Sequence, residues 1–278
     1  MSKYRIIDSG DFYKLEKLGD YILLRPSPQA VWPKDKECKE YRDVSARYER
    51  HQNGKGRWIL ENPKTPESFI LDRWGLSLEL KRTGFGHLGV FFEHETNWLR
   101  LEKNIKSGER VLNLFAYTGV ASLVCAAKGA EVVHVDASKT SVTWARENQE
   151  RSGLEDKPIR WIIEDVRKFV QKEVRREREY DWIILDPPSF GRGTKNESWV
   201  IEEDLINLMK DLGKLKSKSF KGILLSSHSP GYTALSLDHV LTATGFNEPH
   251  SLKEEMFVPQ ENRPLPSGFC AWRTALEL

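Results

Sequence analysis

Only three of the 278 residues are cysteine, and Cys38, Cys125 and Cys270 lie far apart in the chain. That excludes a disulfide framework and the close spacing of a cysteine metal site, so no metal is expected, and unpaired thiols suit a reducing cytoplasm. No apolar run approaches the ~18 residues of a membrane-spanning helix, and the opening Met1-Ser-Lys-Tyr-Arg has no apolar signal core. The expectation is a soluble, cytoplasmic protein with no membrane partner. Charge of one sign is missing too, since 43 basic against 41 acidic residues leave a formal net charge of +2. This weakens any whole-chain electrostatic case for nucleic acid. Two local basic clusters remain, Lys172 to Arg178 and Lys210 to Lys221, each readable as a solvated helix face or as a phosphate-tracking surface.

Glycine is scarce where a dinucleotide fold would need it. The apolar run 110–115 ends in a turn holding one glycine, Gly119, before the helix-prone stretch 120–128. A dinucleotide fingerprint uses three glycines, two of them to admit a pyrophosphate and to pack the following helix. Asn113, Phe115, Ala116 and Tyr117 stand in their place, which weighs against NAD and favours a nucleotide-shaped ligand with an amino-acid tail.

Other polar residues recur at the ends of strand-like runs. The alternating segment 131–135 ends at Asp136, which is either an acceptor for a ribose diol or an acid capping the helix that opens at Ser138. The run 159–163 finishes in Glu164-Asp165-Val166, where Asp165 either accepts from an adenine amino group, with Val166 against the ring, or caps the next helix. The run 181–185 stops at Asp186-Pro187-Pro188-Ser189-Phe190. Two prolines cannot continue a hydrogen-bonded ladder, so the chain turns rigidly and holds the Asp186 carboxylate beside the cofactor.

The texture of the chain changes near residue 80. Before it, strand-like runs at 21–24, 58–60, 69–71 and 76–80, separated by Pro, Gly, Asn and Asp turns, give a small β-rich module assigned to residues 1–82. Within it, 33–56 is the most charged and least periodic stretch, expected to be a long loop or a mobile element. Over 83–278 strand and helix alternate, with a first helix at 96–105 and strands at 110–115, 131–135, 159–163 and 181–185. The helices between them fall at 120–128, 139–152 and 166–179; a helix at 201–215, a strand at 222–226, a helix at 233–244 and terminal strands at 255–257 and 269–274 follow. Such alternation predicts an α/β fold, a doubly wound, mostly parallel Rossmann-like sheet with helices on both faces and ligands at the carboxyl ends of its strands.

Taken together, Leu88-Gly-Val-Phe-Phe-Glu-His94, the loop 113–119, Asp136, Glu164-Asp165, the Asp186 to Phe190 turn and Gly268-Phe-Cys-Ala-Trp272 resemble the class I S-adenosylmethionine-dependent methyltransferases. Within that class the chain is similar to the bacterial ribosomal RNA large-subunit group that includes cytosine-5 enzymes. The resemblance, over about residues 89–278, implies S-adenosyl-L-methionine as cofactor. It implies Asn113, Phe115, Tyr117 and Gly119 around the methionine part, Asp136 with Ser138 at the ribose, Asp165 and Val166 at the adenine, and His94 nearby. Asp186 and Pro187 would stand at the site of transfer, with Phe190 as a stacking surface for the acceptor. RNA, ribosomal RNA in particular, is the implied partner; the oligomeric state stays open.

The chain departs from that group in two places. Cytosine-5 transfer needs a thiolate that attacks the ring, and Ser229 falls where the family carries this cysteine; a serine hydroxyl without a strong base is a poor substitute. A nitrogen is then a more natural acceptor than a carbon. The amino-terminal module also lacks the pattern of a compact RNA-binding domain, although Arg25, Trp32, Tyr41, Arg42 and Arg47 are placed either to touch RNA or simply to pack. The expectation is a methyltransferase for a base in structured RNA. The alternatives are a methyltransferase for a protein or small molecule and a cofactor-binding protein that has lost transfer.

Overall fold

The computed structural model describes residues 4–51, 56–193, 197–260 and 263–277. The chain divides into two compact units, Met1–Glu95 with Phe257–Ser267, and Thr96–Met256 with Gly268–Leu278.

In the first unit β1 (Tyr4–Gly10), β2 (Tyr13–Leu18), β3 (Tyr21–Pro26), β4 (Ala46–Arg50) and β5 (Gly56–Leu60) form one sheet in chain order, and β6 (Ser68–Arg73) pairs with β7 (Leu76–Lys81). The stretch expected to be a loop at 33–56 contains a 3-10 turn, Lys39–Arg42, and all of β4; residues 52–55 lie outside the described residues. Ala46 and Tyr48 alternate inward while Arg47 faces solvent, so the period of two is present beneath the charge. The sequence placed the break after residue 82, whereas the units part after Glu95. Lys81 N donates to Leu88 O, and Phe92 stacks on Tyr4 with ring centroids 3.4 Å apart, which binds 83–95 to the first unit. Segment 257–267 is held there by Ser9 Oγ donating to Gln260 Oε1 and Arg263 Nη2 to Asp8 Oδ1.

Arg25 is buried against the fully buried Glu16, Nε to Oε2 at 2.5 Å, and Tyr4 Oη donates to the other carboxylate oxygen at 2.6 Å. Arg25 is therefore a core ion-pair residue and not a contact for RNA. Of the other candidates on this unit, Trp32 donates to Ser9 O, Tyr41 to Asp8, and Arg47 pairs with Glu61; Arg42 is exposed.

The second unit carries the α/β pattern. Its strands are β8 (Arg110–Leu114), β9 (Glu131–Asp136), β10 (Ile159–Ile163), β11 (Trp182–Leu185), β14 (Gly222–Ser227), β15 (His250–Val258) and β16 (Leu265–Thr274); a short hairpin, β12 (Phe190–Arg192) and β13 (Ser198–Val200), follows β11. The helices are α1 (Glu95–Asn104), α2 (Val120–Ala127), α3 (Lys139–Arg151), α4 (Val166–Arg175), α5 (Ile201–Gly213) and α6 (Ala234–Ala243). The seven-stranded sheet has the order β10-β9-β8-β11-β14-β16-β15. The first five strands are parallel and β16 is antiparallel to β14. The doubly wound, mostly parallel sheet is as the sequence predicts. Strand order reverses beside β8, so the crevice at the carboxyl ends of β8, β9 and β11 is the place where the fold receives a ligand. Leu112, Leu114, Ile183, Leu185, Ile223 and Leu225 form the buried centre against which α4, α5 and α6 pack.

Candidate functional site

Three consecutive odd-numbered residues after β8 adopt the left-handed conformation, Phe115 (φ 53°), Tyr117 (φ 51°) and Gly119 (φ 89°). A non-glycine residue rarely takes that conformation, so two in one loop must be held there by surrounding bonds. The bonds are present: Ala116 N donates to Val135 O, Tyr117 N to Asp136 Oδ2 at 2.9 Å, and Asn148 Nδ2 to Thr118 O at 3.1 Å. At Gly119 an added Cβ would stand 2.9 Å from the Ala145 Cβ, so only glycine lets α2 and α3 close on the loop. Gly119 is also the N-cap of α2, which has no side-chain cap and no acid in its first turn. The amide hydrogens at that helix end suit a carboxylate.

Asp136 ends β9 and gathers two amides, Tyr117 N on one oxygen and Ser138 N on the other at 2.8 Å. Burial raises its pKa against the lowering by these amides. The carboxylate still has acceptor capacity, which matches the two hydroxyl donors of a ribose. It does not cap α3; Ser138 does, accepting from Ser141 N.

Beneath the loop the predicted residue Asn113 is buried, and its Nδ2 donates to Ser122 Oγ, which lies 3.0 Å from His134 Nδ1. Burial pushes His134 down to about 3, so the ring is neutral at ordinary pH. The side-chain amide of Asn113 therefore supports the loop from below, and its neighbours Ser122 and His134 had no signal in the sequence beyond sitting in a helix and a strand.

Asp165 caps α4, accepting from Arg167 N and Lys168 N, and its second oxygen takes Arg167 Nη2 at 3.0 Å. That oxygen keeps one lone-pair direction for a further donor. Val166 is 4% exposed and belongs to the core cluster, because it opens the apolar face of α4. The exposed apolar side chain at this strand end is Ile163, 44% exposed and in register with Asp136.

On the other side of the crevice the Asp186 carboxylate accepts from Ser226 Oγ at 2.6 Å, and His228 Nδ1 lies 3.7 Å from the same oxygen. Ser189 and Ser229 share a hydrogen bond of 2.7 Å that ties the proline turn to the loop after β14. Trp199 donates from Nε1 to Pro188 O at 2.7 Å, and its ring centroid is 4.8 Å from that of Phe115. Arg167 joins Asp165 to Asp204 at 2.7 Å and lies over the Trp199 ring. Trp199 and Arg167 thus connect Asp165, the loop 115–119 and the proline turn, and the sequence carries no signal for either. Phe190 is 59% exposed on β12. His94 lies in the first unit, buried in the 3-10 turn Phe92–His94.

The chain matches the family of S-adenosylmethionine-dependent methyltransferases over residues 39–264. It belongs to that family. A crystal structure of a SAM-dependent methyltransferase from Agrobacterium tumefaciens is 36% identical, covers 98% of this chain and 90% of that one, and superposes with a TM-score of 0.91. The crystal structure of SMU.776 complexed with SAH shares the fold at 19% identity, with a TM-score of 0.74 over 96% of this chain and 75% of that one. The ribosomal RNA large subunit methyltransferase K/L of Shewanella baltica is 32% identical over 203 residues, 72% of this chain but only 27% of that protein. The chain therefore spans well under two thirds of that relative.

S-adenosylmethionine is the cofactor, and the donor set of the second unit fits it without a cationic phosphate site. The pKa of each of the three thiols is shifted upward, away from the reactive thiolate. Burial pushes Cys270 up to about 11 and Cys125 well above its usual range; Cys38, in the first unit, is pushed up to about 11 by burial and by Glu40. A thiol that stays protonated is a poor nucleophile. The two basic clusters span the carboxyl ends of α4 and α5 and the turns that lead to the amino ends of β11 and β14, largely opposite the site, although Lys172 reaches back to Glu164 at the end of β10. Several of their members are already paired: Lys172 with Glu164, Arg176 with Glu173, Lys214 with Asp211 and Lys216 with Glu248. No helix among the described residues is long and apolar enough to cross a membrane.

Proposed function

We propose that this methyltransferase transfers a methyl group to a nitrogen of a base in structured RNA, ribosomal RNA first of all. The observation that carries the acceptor is the state of the nucleophile position: Ser229 is 5% exposed with its hydroxyl bonded to Ser189, and burial pushes the pKa of all three thiols up. Attack on a pyrimidine ring carbon has no activated group here. The RNA class follows from the relative named for ribosomal RNA.

Bound S-adenosylmethionine supplies an electrophilic methyl group on sulfur. The loop 115–119 and the amino end of α2 would hold its amino-acid end, Asp136 its ribose and Asp165, with Ile163 alongside, its adenine. Asp186 and Pro187 would orient the acceptor, and Phe190 offers a face on which a base flipped from its helix can stack. Alignment of acceptor and methyl group then provides much of the rate. The β-rich first unit would contribute substrate recognition.

Mass-spectrometric nucleoside profiling of RNA from cells with and without the protein tests the reading. One N-methylated nucleoside should disappear from ribosomal RNA. A missing C-methylated cytidine, or a covalent adduct with RNA carrying fluorinated cytosine, would overturn the acceptor. The near-neutral net charge and the far-edge position of the basic clusters favour a second reading, a protein or small-molecule substrate, under which no RNA nucleoside would change.

A further inference from the structure

We propose that His228 is a catalytic base of this methyltransferase, taking the proton that a nitrogen acceptor releases, with Asp186 as the counter-charge for its imidazolium. This rests on the nitrogen-acceptor reading above. A base nitrogen bearing hydrogen that gains a methyl group must lose a proton to stay neutral, so the site needs a group able to receive it.

Within the second unit the Asp186 carboxylate and the His228 imidazole lie together at the transfer turn, with Oδ1 and Nδ1 3.7 Å apart. Each side chain is about one third exposed, 32% for Asp186 and 34% for His228, so both are accessible to a substrate from the crevice. The carboxylate is fixed from behind by Ser226 Oγ and leads into two prolines, which leaves it little freedom to turn. An imidazole is a stronger base than a carboxylate, so of the two it is the better proton acceptor. The division of labour follows: His228 receives the proton and Asp186 supplies the counter-charge.

The turn that carries the ring is also held in place. Ser229 N donates to Ser227 Oγ at 3.1 Å and Tyr232 N to Ser229 O, which fixes the turn carrying His228. Gly268, at φ +104°, leaves bare backbone beside the imidazole. A Cβ there would meet Ser227 O at 2.8 Å and His228 Cδ2 at 3.0 Å. The glycine in the Gly268-Phe-Cys-Ala-Trp272 segment thus leaves room for the ring.

The step balances as follows. The bond from the acceptor nitrogen to the methyl carbon forms as the carbon–sulfur bond breaks, the electron pair of that bond stays on sulfur, and the N–H proton passes to the imidazole of His228. The imidazolium then stands beside the Asp186 carboxylate until it gives its proton to water.

The test compares the unaltered protein with His228→Asn and His228→Ala in single-turnover transfer from labelled S-adenosylmethionine to total RNA of cells lacking the protein. Calorimetry with S-adenosylhomocysteine accompanies each variant. The expected rate falls by about a hundredfold or more while cofactor affinity stays within about twofold, as for loss of a general base. Exogenous imidazole should restore part of the turnover of His228→Ala, which a structural role would not permit. A variant within about threefold of the unaltered rate, or a slow variant whose cofactor affinity falls in step without imidazole rescue, would overturn the base. Product analysis separates the two claims. A methyl group on carbon, or no transfer to RNA by the unaltered protein, would overturn the proposed function and the proton's origin with it. A nitrogen product from an unimpaired His228→Ala would overturn the base alone.

Discussion

Asp136 is the residue on which the proposed cofactor site converges, because one carboxylate holds the amide of Tyr117 in the loop and the amide of Ser138 at the next helix. Asp136→Ala should weaken S-adenosylhomocysteine binding by about 1–3 kcal/mol, the cost of leaving polar partners unmatched; an unchanged calorimetric affinity would remove Asp136 from the ribose site. His134 supplies a pH signature. Burial pushes it down to about 3. Its folded pKa lies below the unfolded value near ~6.5, so the unfolded chain binds more protons in between. This contribution to stability is present in full above about pH 6.5 and is lost as pH falls toward 3, at a slope of up to about 1.4 kcal/mol per pH unit. Urea titrations at stepped pH should show this decline, and it should be shallower in His134→Gln. The sequence made Asp136 legible because an acid at a strand end has few uses, but it gave His134 no distinction from any histidine in a strand. Its neutrality depends on complete burial, which no local pattern encodes.

The elements that form the site differ in how openly the chain announces them. The loop 115–119 is marked by a single glycine, yet its shape comes from the left-handed Phe115 and Tyr117, which side-chain chemistry alone does not favour. The proline turn was evident as a stop to β11, whereas its support was not. Trp199 stands 11 residues beyond Pro188, across a hairpin, and holds it through one indole hydrogen bond. Trp199→Phe keeps an aromatic face toward Phe115 but leaves the Pro188 carbonyl without that donor. The substitution should cost about 1–3 kcal/mol of stability and slow transfer more than it weakens cofactor binding; urea unfolding with single-turnover rates would check it. Equal losses in affinity and rate would mean that Trp199 serves only the cofactor loop. In the first unit β1 and β2 lack a clear strand pattern because charged residues, Arg5 and Asp8 in β1 and Lys14, Glu16 and Lys17 in β2, interrupt their apolar positions. Glu16 is nonetheless fully buried, its charge met by Arg25 on β3.

For the whole molecule, a net charge of +2 and basic clusters placed away from the cofactor crevice leave few cations for an RNA backbone there. Binding of single-stranded RNA should accordingly respond weakly to salt, with log Kobs falling against log salt at a slope of about −3, the value for about four phosphate contacts. Filter binding between low and physiological salt measures it, and a slope steeper than about −6 would show that the clusters at the far edge do bind RNA after all. The linear chain by itself determined the alternation of strand and helix, the strand ends carrying Asp136, Asp165 and Asp186, and the serine in place of a cysteine in the turn directly after β14, since hydrophobic period and residue identity are local properties. Tertiary structure alone decided that Arg25 belongs to the core, that Val166 is buried while Ile163 is exposed, that the cationic clusters lie largely opposite the candidate site, and that Trp199, Ser226 and His228 gather at the Asp186 to Pro188 turn. These follow from which strands become neighbours and which helix faces they cover, a matter of contacts between residues tens of positions apart.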